Sequence, residues 1–288
     1  MEPEVTVAIT VHNSERHIYS CIKSLLAQTI RDFEILVVED PPFDGTREII
    51  ERFRDERIKY VRNPSHYGLS KSRNVCIRLA KGEYIFFTDS DCMVSENWIE
   101  EGLKTFHDKD CIGVEGRTYY VSENYEPTYS DAVVENLEGG QYMTCNIAYK
   151  SEVLKRIGGF DERFTYLEDR DLAFRAMKYG EIVFNPKMVV YHQKSTITPI
   201  QYVKTAKRIR NRVLLYKKFK DRELLYGKIV APLDLMTVIF PPLVLGSFLR
   251  NRYNSKEDFA LFPFLYLRLI YERLNLWYAC AKERVFLI

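Results

Sequence analysis

The chain has 288 residues, 46% of them apolar and 28% charged, with 42 basic against 40 acidic side chains. This allows one large domain, or a domain with an appendage, and excludes a chain too polar to bury a core. A net charge of +2 gives no molecule-wide attraction for a polyanion, so nucleic acid is not an expected partner.

The six cysteines, at 21, 76, 92, 111, 145 and 280, form no C-x-x-C pair. They read as reduced thiols of a cytosolic protein. The acidic start, Met1-Glu2-Pro3-Glu4, has no basic region followed by an apolar stretch, so no signal peptide is expected.

Val5, Val7, Ile9 and Val11 alternate with Thr6, Ala8 and Thr10, which predicts a strand. Ser14 is placed to cap a helix whose apolar face is Ile18, Ile22, Leu25 and Leu26. Phe33 to Val38 is a continuous apolar run, the pattern of a strand buried on both faces. It ends at Glu39-Asp40, before a Pro- and Gly-containing turn and a helix through Ile49, Ile50 and Phe53. A strand at Ile58 to Val61, a helix at Ser70 to Ala80 and a strand from Tyr84 to Phe87, ending at Asp89, repeat the unit.

This alternation predicts an α/β fold, a mostly parallel sheet with helices on both faces. Ligands bind at the carboxyl ends of such strands, where Asp40 and Asp89 lie.

From Cys111 the pattern changes. Strands are expected at Ile112 to Val121, Met143 to Tyr149 and Ile182 to His192, with a helix from about Asp169 to Tyr179. The expected main domain is residues 1–195, with a first half to about 110 that holds these strand ends and a second half from 111 that completes the sheet and supplies a second substrate's site, followed by a helical extension over 196–288. In the extension, Thr198-Pro199 opens a long helix rich in Lys and Arg. Ile229 to Leu249 and Phe259 to Ala281 are apolar, but prolines and charges interrupt them, so neither fits a membrane-spanning helix. They read as interfacial helices, with the basic helix facing anionic lipid. The competing reading packs them on the main domain.

Asp89-Ser90-Asp91 stands at the mouth of a parallel strand, where two carboxylates can share a hard divalent cation with substrate phosphates. Such a triplet alone is a weak signal; its context is not. Val11-His12-Asn13, Leu26-Ala27-Gln28-Thr29, Phe33 to Asp40 with Asp44-Gly45-Thr46, and Gly68 to Asn74 precede it in order. Gly158-Gly159-Phe160-Asp161-Glu162, then Glu168-Asp169-Arg170-Asp171-Leu172 with Arg175, follow it. Over about Val5 to His192 the chain resembles glycosyltransferase family two, inverting enzymes of the GT-A fold.

The resemblance implies a nucleotide-diphosphate sugar donor, a Mn²⁺ or Mg²⁺ ion, and a glycan or lipid-linked acceptor. It implies that Thr10, His12, Asn13 and Glu15 line the nucleotide-sugar site, that Asp40 accepts a hydrogen bond from the base, and that Arg73 reaches the base's carbonyl edge. It implies Asp89 at the ribose or a metal-bound water, Asp91 and His192 on the metal, and Asn146 at the sugar. Asp169, supported by Glu168, is implied as the base that deprotonates the acceptor.

Pro41-Pro42 replaces the family's Gly-Ser, which leaves uridine, thymidine and guanosine open. The expected location is cytoplasmic, peripheral at the cytoplasmic face of the cell membrane. A catalytically silent nucleotide-sugar-binding scaffold is the alternative, and the intact acidic set argues against it. A nucleotidyltransferase is disfavoured because Val11 to Ser14 is no Gly-rich phosphate loop.

Overall fold

The computed structural model describes residues 2–125, 131–220 and 262–285. The chain divides into two compact units, Met1–Tyr125 with Val134–Gln193, and Glu126–Val133 with Lys194–Ile288.

The first unit runs β1 (Val5–Val11), α1 (Ile18–Leu26), β2 (Phe33–Glu39), α2 (Thr46–Glu51), β3 (Ile58–Arg62), α3 (Leu69–Leu79) and β4 (Tyr84–Asp89). It continues with β5 (Cys92–Val94), α4 (Trp98–Asp108), β6 (Gly113–Tyr120), β7 (Ile147–Lys150), α5 (Ser151–Arg156), α6 (Glu168–Ala176) and β8 (Ile182–His192). The eight strands form one sheet in the order β3-β2-β1-β4-β7-β6-β8-β5. The strands β3, β2, β1 and β4 are mutually parallel. Beyond them β7 runs antiparallel to both β4 and β6. The long strand β8 lies parallel to β6, and β5 returns antiparallel along β8.

Strand alternation divides the core between the two sheet faces. Val5, Val7 and Ile9 pack with Ile18, Ile22 and Leu25 of α1 and with Trp98, Leu103 and Phe106 of α4. Ala8, Leu36 and Val38 pack on the other side with Cys76 of α3, Leu154 of α5 and Leu172 of α6. Every residue of β2 is buried, as its unbroken apolar pattern requires. Of its two buried acids, Glu34 accepts hydrogen bonds from Thr6 Oγ1 at 2.7 Å and the Lys81 amide at 3.0 Å.

Two local expectations are corrected. Ser14 does not cap α1 with its side chain: its Oγ bonds the His12 amide and Ser90 Oγ, while its carbonyl receives the amides of His17 and Ile18. Helix α4 is absent from the elements expected, although Trp98, Ile99, Leu103 and Phe106 recur on one face. All six cysteines are free thiols.

In the second unit, Thr198 and Gln201 form a reciprocal capping box at the start of α7 (Pro199–Lys204). The expected long basic helix is interrupted by a 3₁₀ turn at Thr205–Arg208 before α8 (Ile209–Phe219). Helix α9 (Phe262–Glu283) packs on α8 through Leu276 and Ala279 against Ile209 and Val213. Arg268 donates to Thr205 Oγ1 at 3.0 Å, and Lys217 pairs with Glu283 at 2.9 Å. The apolar segment Ile229 to Leu249 lies outside the described residues. Among the described residues, no helix is long and apolar enough to cross a membrane.

Candidate active site

Parallel pairing aligns the carboxyl ends of β1, β2 and β4 on one sheet edge. Thr10 lies opposite Val38 on one side and Asp89 on the other. Thr10 is half-buried there, and His12 and Asn13 just beyond it are exposed.

Asp91 follows β4 and meets the end of β8, because Cys92 is in register with His192 across the β5–β8 pair. Asp91 Oδ1 stands 3.5 Å from His192 Nε2. His192 Nδ1 lies 2.9 Å from the Gln193 carbonyl oxygen, to which it can only donate, so in the neutral ring Nε2 is the nitrogen with a lone pair facing Asp91. Two ligands side by side on an ion with bonds of about 2.1 Å stand roughly 3 Å apart, so a carboxylate and an imidazole at this spacing fit a divalent cation. Burial raises the Asp91 carboxyl above its ordinary range; His192 opposes this and the Asp89 charge adds to it.

Arg73 lies on α3. Its guanidinium is buried, donating from one nitrogen to Asp89 Oδ1 at 3.0 Å and from another to Glu168 Oε1 at 2.8 Å. In these contacts it acts as a bridge within the fold. It ties the strand-end triplet to the acidic pair at the start of α6, and with two carboxylate partners its charge is compensated inside the fold.

The residue before that pair, Leu167, has φ 65°, a left-handed conformation unusual for a leucine, and its side chain is buried. This kink starts α6 directly on Glu168-Asp169. Burial and the adjacent Glu168 charge push Asp169 up to about 7, against the Arg170 amide and the Arg73 and Arg170 charges. Glu168 is engaged by Arg73, while Asp169 accepts one backbone hydrogen bond, from Arg170 at 2.7 Å. On the same helix, Asp171 pairs with Arg175 at 2.8 Å, as the spacing of four predicts.

At the other end of the sheet edge, Asp40 is buried and filled with donors. Oδ1 accepts from Asn63 Nδ2 and the Tyr67 amide, both at 2.9 Å, and Oδ2 accepts from the Gly68 amide at 2.8 Å. His66 Nδ1 lies 2.8 Å from Oδ2. Burial works against the charge, yet the hydrogen bonds from Tyr67, Asn63 and Gly68, with His66 beside them, hold the carboxyl below the usual range. These oxygens anchor the 63–68 loop. Glu15 ties a neighbouring loop, its amide donating to Asp44 Oδ2 at 3.1 Å and its carboxylate accepting from the Gly45 amide at 3.4 Å.

Asn146 immediately precedes β7. It is buried, and its Oδ1 accepts from Trp98 Nε1 at 2.8 Å while Nδ2 donates to the carbonyls of Arg117 at 2.8 Å and Met188 at 3.0 Å. It braces the β6–β8 register shift at Gly116/Arg117, where a Cβ on Gly116 would lie 2.4 Å from its own side chain. Both polar atoms of Asn146 have partners within the fold.

Glu115 was not foreseen. Its buried carboxylate accepts the amides of Gly140, Gln141 and Tyr142 and the Asn136 side chain, which fixes the 136–142 loop. Gln141 in turn receives Arg170 at 2.8 Å, next to Asp169. The only signal for it in the sequence is an acid inside an otherwise buried strand.

A parallel sheet edge that ends in the Asp89-Ser90-Asp91 triplet, with a buried arginine tying Asp89 to Glu168 beside the raised Asp169 carboxyl, has the architecture of the GT-A sugar transferases. The model of "Glycosyl transferase family 2" matches residues 6–160. The chain belongs to that family and is a glycosyltransferase.

It is 29% identical over 174 residues, 59% of this chain and 67% of the relative, to the UDP-Glc:alpha-D-GlcNAc-diphosphoundecaprenol beta-1,3-glucosyltransferase WfaP of Escherichia coli. Three further curated relatives are matched over 48% to 65% of their own lengths. Among solved structures it resembles residues 1–349 of S. aureus TarS in complex with UDP-GlcNAc, with TM-score 0.60, 19% identity and coverage of 98% and 91% of the two chains. It also resembles the mannosyltransferase PcManGT of Pyrobaculum calidifontis in complex with GDP-Man and Mn²⁺, with TM-score 0.62, 17% identity and coverage of 99% and 88%.

Proposed function

We propose that this chain transfers a sugar, with inversion, from a UDP-sugar to a hydroxyl of a lipid-linked glycan at a membrane surface. The observation that carries the transfer chemistry is the Asp89–Arg73–Glu168 bridge, which ties the strand-end acids to the start of α6, where the neighbouring Asp169 carboxyl is pushed up to about 7. The donor and acceptor classes rest on the relative from Escherichia coli, whose name carries both.

In this reading the donor diphosphate lies over Asp89 to Asp91. Asp91 and His192 would hold a Mn²⁺ or Mg²⁺ ion, whose chemistry there is to offset the charge of the leaving diphosphate. Asp169 takes the proton of the acceptor hydroxyl as that oxygen bonds to the anomeric carbon. Arg73 holds the Glu168 carboxylate beside it, and the Glu168 charge raises the proton affinity of Asp169. Thr10, His12 and Asn13 serve the nucleoside.

Attachment to the membrane surface is supported by one face of α9, where Leu267, Leu274, Trp277 and Tyr278 are each more than half exposed. Arg210 stands 4.7 Å from the Tyr278 ring centre, so cationic and aromatic groups adjoin that face.

A thermal-shift screen of UDP, GDP and dTDP with and without Mn²⁺ tests the donor. The expected result is Mn²⁺-dependent stabilisation by UDP in wild type and its loss in Asp91→Ala. Stabilisation by none of the nucleotides sinks the reading. Sedimentation with anionic vesicles tests the surface: Trp277→Ser with Leu274→Ser should release protein that wild type leaves bound, and equal binding removes that step.

A further inference from the structure

We propose that His12, Asp40 and His66 form a second cation site, separate from Asp91 and His192, which takes a borderline transition ion of the Zn²⁺ class. Sheet order brings the three together: His12 follows β1, Asp40 follows β2, and His66 lies between β3 and α3, on adjacent strands β3-β2-β1. One ligand atom from each residue lies within 4.8 Å of the other two. The imidazole rings are 5.4 Å apart, centre to centre.

The carboxylate is fixed and the imidazoles can move. Asp40 is held by backbone amides, whereas the His66 side chain is 64% exposed and His12 is exposed. His66 Nδ1 lies 2.8 Å from Asp40 Oδ2 and 3.1 Å from the Pro41 carbonyl oxygen, and His12 Nδ1 lies 3.2 Å from the Asp40 carbonyl oxygen. Both Nδ1 atoms therefore carry the proton in the neutral rings. An ion entering between them takes the place of those protons, which move to Nε2, so each ring stays neutral and no net proton is released.

Tetrahedral ligands at bonds of about 2.0–2.1 Å stand roughly 3.3 Å apart, so the His66–Asp40 contact opens by only about 0.5 Å. Two imidazoles and one carboxylate favour Zn²⁺, Ni²⁺ or Cu²⁺ over Mg²⁺ and Mn²⁺. The same set leaves a fourth position open to water. An ion here draws His12 away from the nucleoside, so it competes with nucleotide. That consequence rests on the proposed function, whereas the cation site does not.

The test titrates chelator-treated full-length protein with Zn²⁺ by calorimetry and with Cu²⁺ by electron paramagnetic resonance, without nucleotide. Wild type and His192→Ala should bind Zn²⁺ and show nitrogen couplings from two imidazoles on Cu²⁺. His12→Ala and His66→Ala should each bind Zn²⁺ at least tenfold more weakly. Absence of binding in wild type, unchanged binding in the His12→Ala/His66→Ala pair, or loss in His192→Ala overturns the site. With Mn²⁺ present, Zn²⁺ should weaken UDP binding in wild type and not in His66→Ala; an equal effect on both overturns the competition. If UDP binds neither protein while the Zn²⁺ results hold, the donor reading fails and the cation site stands.

Discussion

Two aspartates of this fold, Asp40 after β2 and Asp169 at the start of α6, are held in opposite ways. Asp40 receives two backbone amides, the Asn63 side chain and His66, and its carboxyl is held below the ordinary range. Asp169 receives one amide and lies beside a second carboxylate, and its carboxyl rises to about 7. Residue type is the same, and burial opposes the charge at both. The supply of donors decides the outcome: a saturated carboxylate fastens a loop, and an under-supplied one keeps the affinity for a proton that transfer chemistry uses.

Asp169→Asn tests the acceptor end most severely. Removing a positioned base is expected to lower kcat by roughly 10²–10⁴-fold, with the KM for the donor little changed. Stability should move the other way. A carboxyl whose pKa is raised on folding opposes folding wherever the unfolded chain holds it ionised. The penalty begins above about 4, grows with pH, and is complete above about 7. The variant should therefore melt higher than wild type at pH 8, by a margin that shrinks toward pH 5. A variant that keeps its activity, or melts lower at pH 8, would end the comparison.

Asp40→Asn attacks the other end. The amide that replaces one oxygen points a donor at the Tyr67 or Gly68 amide, and two or more hydrogen bonds are lost. About 2–3 kcal/mol of stability should go at pH 7, measured by urea unfolding. A carboxyl whose pKa is lowered on folding stabilises the fold above its unfolded value of about 4, and that contribution fades as pH falls through the lower folded value. The gap between wild type and variant should accordingly narrow at pH 3. An undiminished gap there would mean that the charge of Asp40 has no part in holding the 63–68 loop.

Much of the first half was legible because local rules and tertiary outcome agree there. Val5–Val11 and Phe33–Glu39 carry the apolar patterns of parallel strands buried on both faces, and their ends mark the site edge. The acidic triplet and the Glu168-Asp169 pair were legible as candidates for the same reason. What the sequence could not carry was the allocation of side-chain hydrogen bonds between distant elements. Arg73 meets Glu168 across 95 positions, Asn146 meets Met188 across 42, and Glu115 meets Tyr142 across 27. A motif places such residues near a site and leaves open whether their polar atoms face a ligand or the fold. Thr205–Arg208 was missed for a local reason, since a 3₁₀ turn and an α-helix share the same basic pattern.

The finest test separates the charge of Glu168 from its contact with Arg73. In Glu168→Gln the side-chain oxygen still accepts from the guanidinium, so the bridge to Asp89 can persist while the negative neighbour of Asp169 is gone. That neighbour raises the Asp169 pKa, and Arg73, freed of one partner charge, lowers it more strongly. Both changes act in one direction. The acidic limb of the kcat–pH profile, near pH 7 in wild type, should move to lower pH by an amount equivalent to about 1 kcal/mol in proton affinity. At pH 6 the variant then holds a larger ionised fraction of Asp169, and at pH 8 it has a slightly weaker base, so the two profiles should cross. A limb that stays in place would assign the raised proton affinity to burial alone. A limb that moves to higher pH would mean that Arg73 had left Asp169 for Asp89, and the bridge would then need both of its carboxylates to hold.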